Sequence, residues 1–76
     1  MQIKEALRLR ILELCEKNNM TPGKLCSVCG LNWSTLENII SGRNNSTTIS
    51  TIKKICDGLG INLSEFFASE IFLDLE

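Results

Sequence analysis

Thr21-Pro22-Gly23-Lys24-Leu25-Cys26-Ser27-Val28-Cys29-Gly30-Leu31-Asn32-Trp33-Ser34-Thr35-Leu36-Glu37-Asn38-Ile39-Ile40-Ser41-Gly42-Arg43 reads as two short helices joined by a tight turn. Thr21 can accept a hydrogen bond from the free N–H groups that open the first of them. Pro22 suits its first helical position, where no N–H is needed. Gly30 can take the left-handed conformation that stops this helix. Asn32 then starts the next helix as another N-cap, and Gly42 ends it. The outer face of that second helix is polar.

A turn and two caps in so short a stretch fix the angle of one helix on another. That is the build of a helix-turn-helix, and its second helix is short enough to enter a DNA major groove.

Working outward, the 76 residues make one domain, 1–76, near the lower limit for folding without staples. Hydrophobic residues are 43% of the chain, enough for one small core, and aromatics are few, so the core must be mostly aliphatic. No apolar run approaches the ~20 residues that span a bilayer. Met1-Gln2-Ile3-Lys4-Glu5-Ala6 alternates charge with apolar residues and lacks the core of a signal peptide. A soluble, cytoplasmic protein without membrane contact is expected.

The net charge of −1 lacks the electropositive footprint usual in a DNA-binding domain. Its distribution softens the objection. From Thr21 to Lys54 the charges are Lys24, Arg43, Lys53 and Lys54 against Glu37, whereas Asp57, Glu65, Glu70, Asp74 and Glu76 make the end of the chain acidic.

Ile3, Leu7, Ile11 and Leu14 fall on one face of a helix from about Gln2 to Asn18. Lys4, Arg8, Arg10 and Lys17 mix with Glu5, Glu13 and Glu16 around its other faces. Leu25, Val28 and Cys29 give the second helix an apolar side, and Leu36 and Ile39 do so for the third. Gly42 to Thr47 is a polar loop. Thr48 caps a fourth helix with Ile49, Ile52, Ile55, Cys56 and Leu59 inside, closed by Gly60. Asn62 and Glu65 form a capping box that opens a fifth, with Phe66 and Phe67 inside. Five helices around one core follow, an all-α fold with no strand required.

At this register the chain resembles the phage-repressor and Cro type of helix-turn-helix, the lambda-repressor-like family also named after the xenobiotic response element. The likeness covers roughly Leu7 to Phe67. It rests on Met20-Thr21 leading to Leu25-Cys26 and Cys29-Gly30-Leu31, and on Ser34-Thr35-Leu36 followed by Ile39 and Ser41-Gly42-Arg43. Ile52-Lys53-Lys54-Ile55-Cys56, Leu59-Gly60-Ile61, Leu63-Ser64-Glu65 and Phe66-Phe67 continue it. The chain departs from the pattern at Pro22, where a polar residue such as Gln is usual, at Gly23, and at Ile40, where Glu is common.

The resemblance implies a sequence-specific DNA-binding transcriptional regulator whose third helix lies in the major groove, commonly as a dimer on two half-sites. Carried onto this chain, the base readers are Asn32, Trp33, Ser34 and Asn38, with Thr35 and Glu37 as lesser candidates. The phosphate contacts are Thr21 and Pro22, Lys24, and the loop Arg43-Asn44-Asn45.

Each candidate also has a plain structural role to set against it. Asn38 has the geometry for a bidentate contact to adenine N6 and N7; otherwise it is a solvated surface amide. Ser34 can reach several bases and so specifies weakly. Asn32 serves equally as a cap. Trp33 is not needed for the core. It can pack on a thymine methyl or a sugar edge, cover a protein partner, or fold back over Leu31 or the fourth helix. Glu37 can accept from cytosine N4 or sit as a surface carboxylate.

Cys15, Cys26, Cys29 and Cys56 include a Cys-x-x-Cys pair. With no His in the chain and the other two cysteines far apart in sequence, the four read as small buried hydrophobes rather than metal ligands. The resemblance also puts Cys26 and Cys56 where the family wants a small buried residue. No metal or cofactor is expected. The tail from Ser69 to Glu76 carries Ile71, Phe72, Leu73 and Leu75, more apolar side chains than a terminal helix needs. An exposed cluster of that kind marks an interface, so 69–76 is a candidate dimerisation tail; the alternative is packing on the first helix.

An enzyme is poorly supported, since the chain has no His, no Tyr and no Gly-rich phosphate loop. The expected function is a repressor that binds double-stranded DNA at a near-palindromic operator as a homodimer. The alternative is a protein-interaction adaptor or antitoxin-like module on the same fold, with weak or no DNA binding and a protein partner.

Overall fold

The computed structural model describes residues 1–43 and 47–76. Five helices follow in order: α1 (Ile3–Lys17), α2 (Pro22–Cys29), α3 (Trp33–Ile40), α4 (Ile49–Leu59) and α5 (Leu63–Phe67). A 3-10 helix over Glu70–Asp74 completes the chain, and no strand occurs among the described residues. The fold is all-α, as the helical periodicity predicts.

Most helix boundaries are set by local chemistry. Thr21 Oγ1 accepts the Lys24 N–H at 3.2 Å, and Gly30 ends α2 at φ 68°. Thr48 Oγ1 accepts the Thr51 N–H at 3.3 Å to open α4. Asn62 Oδ1 accepts the Glu65 N–H at 2.7 Å while Glu65 Oε1 accepts the Asn62 N–H at 3.1 Å, a complete capping box on α5. Asn32 departs from expectation. Its backbone occupies the N-cap position of α3, but its side-chain oxygen takes the Ser34 and Thr35 hydroxyls at 3.3 and 3.1 Å instead of a backbone N–H.

Ile11, Leu25, Leu36, Ile55, Cys56 and Phe66 are fully buried and bring every helix to one core. All four cysteines belong to it as free thiols. Helix α2 lies unusually close on α4. A Cβ placed on Gly58 would stand 2.4 Å from Cys29 Sγ and 2.8 Å from Cys29 Cα, so only glycine permits this approach. The Cys29 thiol donates to the Ile55 carbonyl across the same contact, at 3.6 Å.

Several residues face elsewhere than expected. Ile3, Val28, Ile49 and Phe67 are exposed, each at the end of a helix or at the margin of its apolar stripe. Phe67 lies against Phe66 and Phe72, with ring centroids 5.0 Å from each. Arg10, expected on an outer face, is only 5% exposed. Its Nε donates to the Phe66 carbonyl at 2.6 Å and Nη2 to the Glu65 carbonyl at 2.9 Å, and Nη1 pairs with Glu13. The guanidinium thereby caps the end of α5, taking the Phe66 carbonyl and sharing that of Glu65 with the Ala68 N–H.

The tail folds back on α1. Ser69 Oγ donates to Glu13 at 3.3 Å, and the Glu76 N–H donates to the Met1 carbonyl at 3.0 Å. Phe72 is half-buried against the core beside Phe66, and Ile71 is half-buried as well. Leu73, 85% exposed, and Leu75 remain at the surface.

Candidate nucleic-acid interface

Helix α3 is eight residues long and buries Leu36 and Ile39, with Ile40 partly covered. A helix so short is marginal alone, so its position depends on what holds its ends. The last four carbonyls of a helix lack intrahelical partners. Here each has a donor from outside the helix. The Ser41 N–H donates to the Glu37 carbonyl at 2.9 Å and Ser41 Oγ to the Asn38 carbonyl at 3.3 Å. The N–H of Gly42, at φ 79°, donates to the Ile39 carbonyl at 3.3 Å. Arg8 Nε, arriving from α1, donates to the Ile40 carbonyl at 2.8 Å. The helix is thus fixed at its C-terminal end by α1 as well as by its own loop.

The opposite end is left open. No side chain caps the opening N–H groups of α3, and Asn32, Trp33 and Ser34 are all exposed there. Trp33 is 54% exposed, so the indole does not fill the core. Because Asn32 Oδ1 is occupied by two hydroxyls, its amide nitrogen is the atom left to face a ligand. Asn38, one turn beyond Ser34, is exposed on the same side.

Thr21 and Lys24 stand at the start of α2, where Thr21 caps the helix and the Lys24 side chain is exposed. Arg43 follows the far end of α3. Its side chain is 63% exposed; its guanidinium pairs with Glu37, and its Nε donates to Ser41 Oγ at 3.1 Å. Asn44 and Asn45 lie outside the described residues. The structure therefore brings Asn32, Trp33, Ser34 and Asn38 together on one outward face, with Thr21 and Lys24 at the start of the preceding helix. Arg8 is an addition that the sequence reading did not single out, as is the pairing of Glu37 with Arg43, itself a candidate phosphate contact. Arg8 meets a carbonyl 32 residues away, whereas Glu37 was already a lesser candidate on the readout helix.

Burial pushes the Cys15, Cys26, Cys29 and Cys56 thiols above their ordinary value of 9.0, with neighbouring thiols adding to the effect at Cys15 and Cys29 and Asp57 adding to it at Cys56. The thiolate is the nucleophilic and metal-binding form. Among the described residues, no three of His, Cys, Asp and Glu converge where they could hold a metal ion. No helix among them is long and apolar enough to cross a membrane.

A short helix fixed on a second by a three-residue turn, with its polar face outward, defines a helix-turn-helix domain. Residues 10–70 match the Cro/C1-type HTH DNA-binding domain, and the chain belongs to that family. It is similar to the protein in the crystal structure of the prophage Lp1 protein 11, at 34% identity and a TM-score of 0.82 over 91% of this chain and 92% of the other. No curated protein matches the chain.

Proposed function

We propose that the chain is a sequence-specific, non-enzymatic transcriptional regulator, acting in the cytoplasm as a repressor and binding DNA as a homodimer. The observation that carries this reading is α3 itself. Its inner side and its four terminal carbonyls are fully engaged, while Asn32, Trp33, Ser34 and Asn38 are exposed along its outer side. A helix rigidly held by its back and presenting polar side chains is what direct readout of base edges requires.

In this reading Asn38 takes an adenine edge, and Ser34 and the Asn32 amide contribute contacts at the N-terminal end. Trp33 packs on a thymine methyl or a sugar. Thr21 and Lys24 hold the DNA backbone, with Arg43, Asn44 and Asn45 as further candidates for phosphate contact. Two copies place their α3 helices in successive major grooves, ~34–36 Å apart, on a near-palindromic site. Occupancy blocks polymerase, and no cofactor takes part.

A second reading, a protein-interaction or antitoxin-like module, draws on the exposed Trp33 and Val28 together with the net charge of −1. The two separate cleanly. Replacing Ser34 and Asn38 together by Ala is expected to weaken binding to a selected duplex at least tenfold, measured by fluorescence anisotropy, with circular dichroism unchanged. A bidentate amide contact at ~1–3 kcal/mol sets that scale. Undiminished affinity of the double variant would remove α3 as the readout surface.

A further inference from the structure

Ser34, Glu37, Asn38 and Ser41 occur at intervals of three, one and three, which places them along one stripe of α3 and its C-cap. Arg43 folds back onto this stripe. Its Nε is held by Ser41 Oγ at 3.1 Å, and one Nη pairs with the Glu37 carboxylate. A guanidinium has five N–H donors in a fixed plane. With Nε and one Nη engaged, the end of the fork still offers parallel donors from both Nη atoms.

We propose that the Glu37–Arg43 pair is a base-reading device, in which Arg43 donates two N–H groups to a guanine edge in each half-site instead of neutralising a backbone phosphate. The proposal rests on the DNA-binding reading given above. Three physical points favour the base over the phosphate. Glu37 cancels the charge of Arg43, so the pair as a unit gains little from a phosphate, and its carboxylate repels one. A guanine edge carries no net charge and presents two acceptors, O6 and N7, at the spacing of the fork. The two contacts on Arg43 also bias the plane of the guanidinium before binding, which lowers the side-chain entropy that a bidentate contact must overcome.

The test is selection of bound duplexes from a random library by three proteins: the unaltered chain, Arg43→Lys and Glu37→Gln. Lysine keeps the charge and loses the fork. Glutamine keeps the shape of Glu37 and weakens its hold on Arg43. The unaltered chain should enrich a half-site with a guanine at one fixed position. Both variants should reduce the preference at that position about tenfold and leave the others in place, the scale expected of one bidentate contact.

If both variants keep every base preference, Arg43 reads no base. A uniform loss of affinity in Arg43→Ala, with the salt slope falling by about 0.9, would then assign it to a phosphate. Loss of a cytosine preference in Glu37→Gln alone would make Glu37 the reader and likewise overturn the proposal. Absence of any enrichment by the unaltered chain would instead remove the DNA-binding reading, and this inference with it.

Discussion

At the scale of single residues, Gly58 and Arg10 bear most on the core, and neither declares itself in the sequence. Gly58 lies inside the apolar pattern of α4, where glycine otherwise costs stability. Its reason is the backbone of Cys29, on which any Cβ would intrude. Gly58→Ala is expected to lower stability by ~1–3 kcal/mol in urea unfolding, the range for overpacking a tight contact, although alanine is the better helix former. An unchanged or raised midpoint would show that α2 and α4 can move apart. Arg10 alternates with apolar residues like any surface charge of α1. Its burial follows from the Glu65 and Phe66 carbonyls, 55 and 56 residues away, and no local pattern encodes such a meeting.

Among the elements, the helix starts were the most legible part of the chain because caps are local chemistry. Thr21, Thr48 and Asn62 each accept the backbone N–H that their position predicts. The faces of helices were less so at their ends. Ile3, Val28 and Ile49 continue apolar stripes by periodicity, yet are exposed because a stripe extends past the neighbours that would cover it. Helix α3 shows both outcomes. Its boundaries and buried Leu36 and Ile39 follow from spacing, while the anchoring of its C-terminus by Arg8 depends on the crossing of α1. Arg8→Met should remove that anchor at a cost of about 0.5–1.5 kcal/mol for a part-buried hydrogen bond. Amide exchange of Ser41 and Gly42 should accelerate more than that of α2. Equal acceleration in both helices would mean that Arg8 supports the fold generally and does not hold α3.

For the whole molecule, the tail divides its apolar side chains between two roles. Ile71 and Phe72 are half-buried, Phe72 in an aromatic group with Phe66 and Phe67. Leu73 and Leu75 stay at the surface, and Leu75 lines a shallow groove with Ile3 of the same protomer. A dimer built on the tail would therefore use Leu73 and Leu75 more than their neighbours. Replacing both by Glu should dissociate it in sedimentation velocity while leaving the helical signal intact, because Phe72 is untouched. A variant that sediments as the unaltered dimer would place the interface elsewhere.

The outward face of α3 was legible as a set of residues, since cap and periodicity together fix which side chains point away from the core. Its partner pattern was not, because Glu37 and Arg43 meet across the end of the helix. The most direct test of the account is selection of duplexes from a random library by the full chain at about 100 mM salt. The account predicts a near-palindrome of two short half-sites centred about one helical turn apart. Weak binding that fades with salt and enriches no sequence would contradict it.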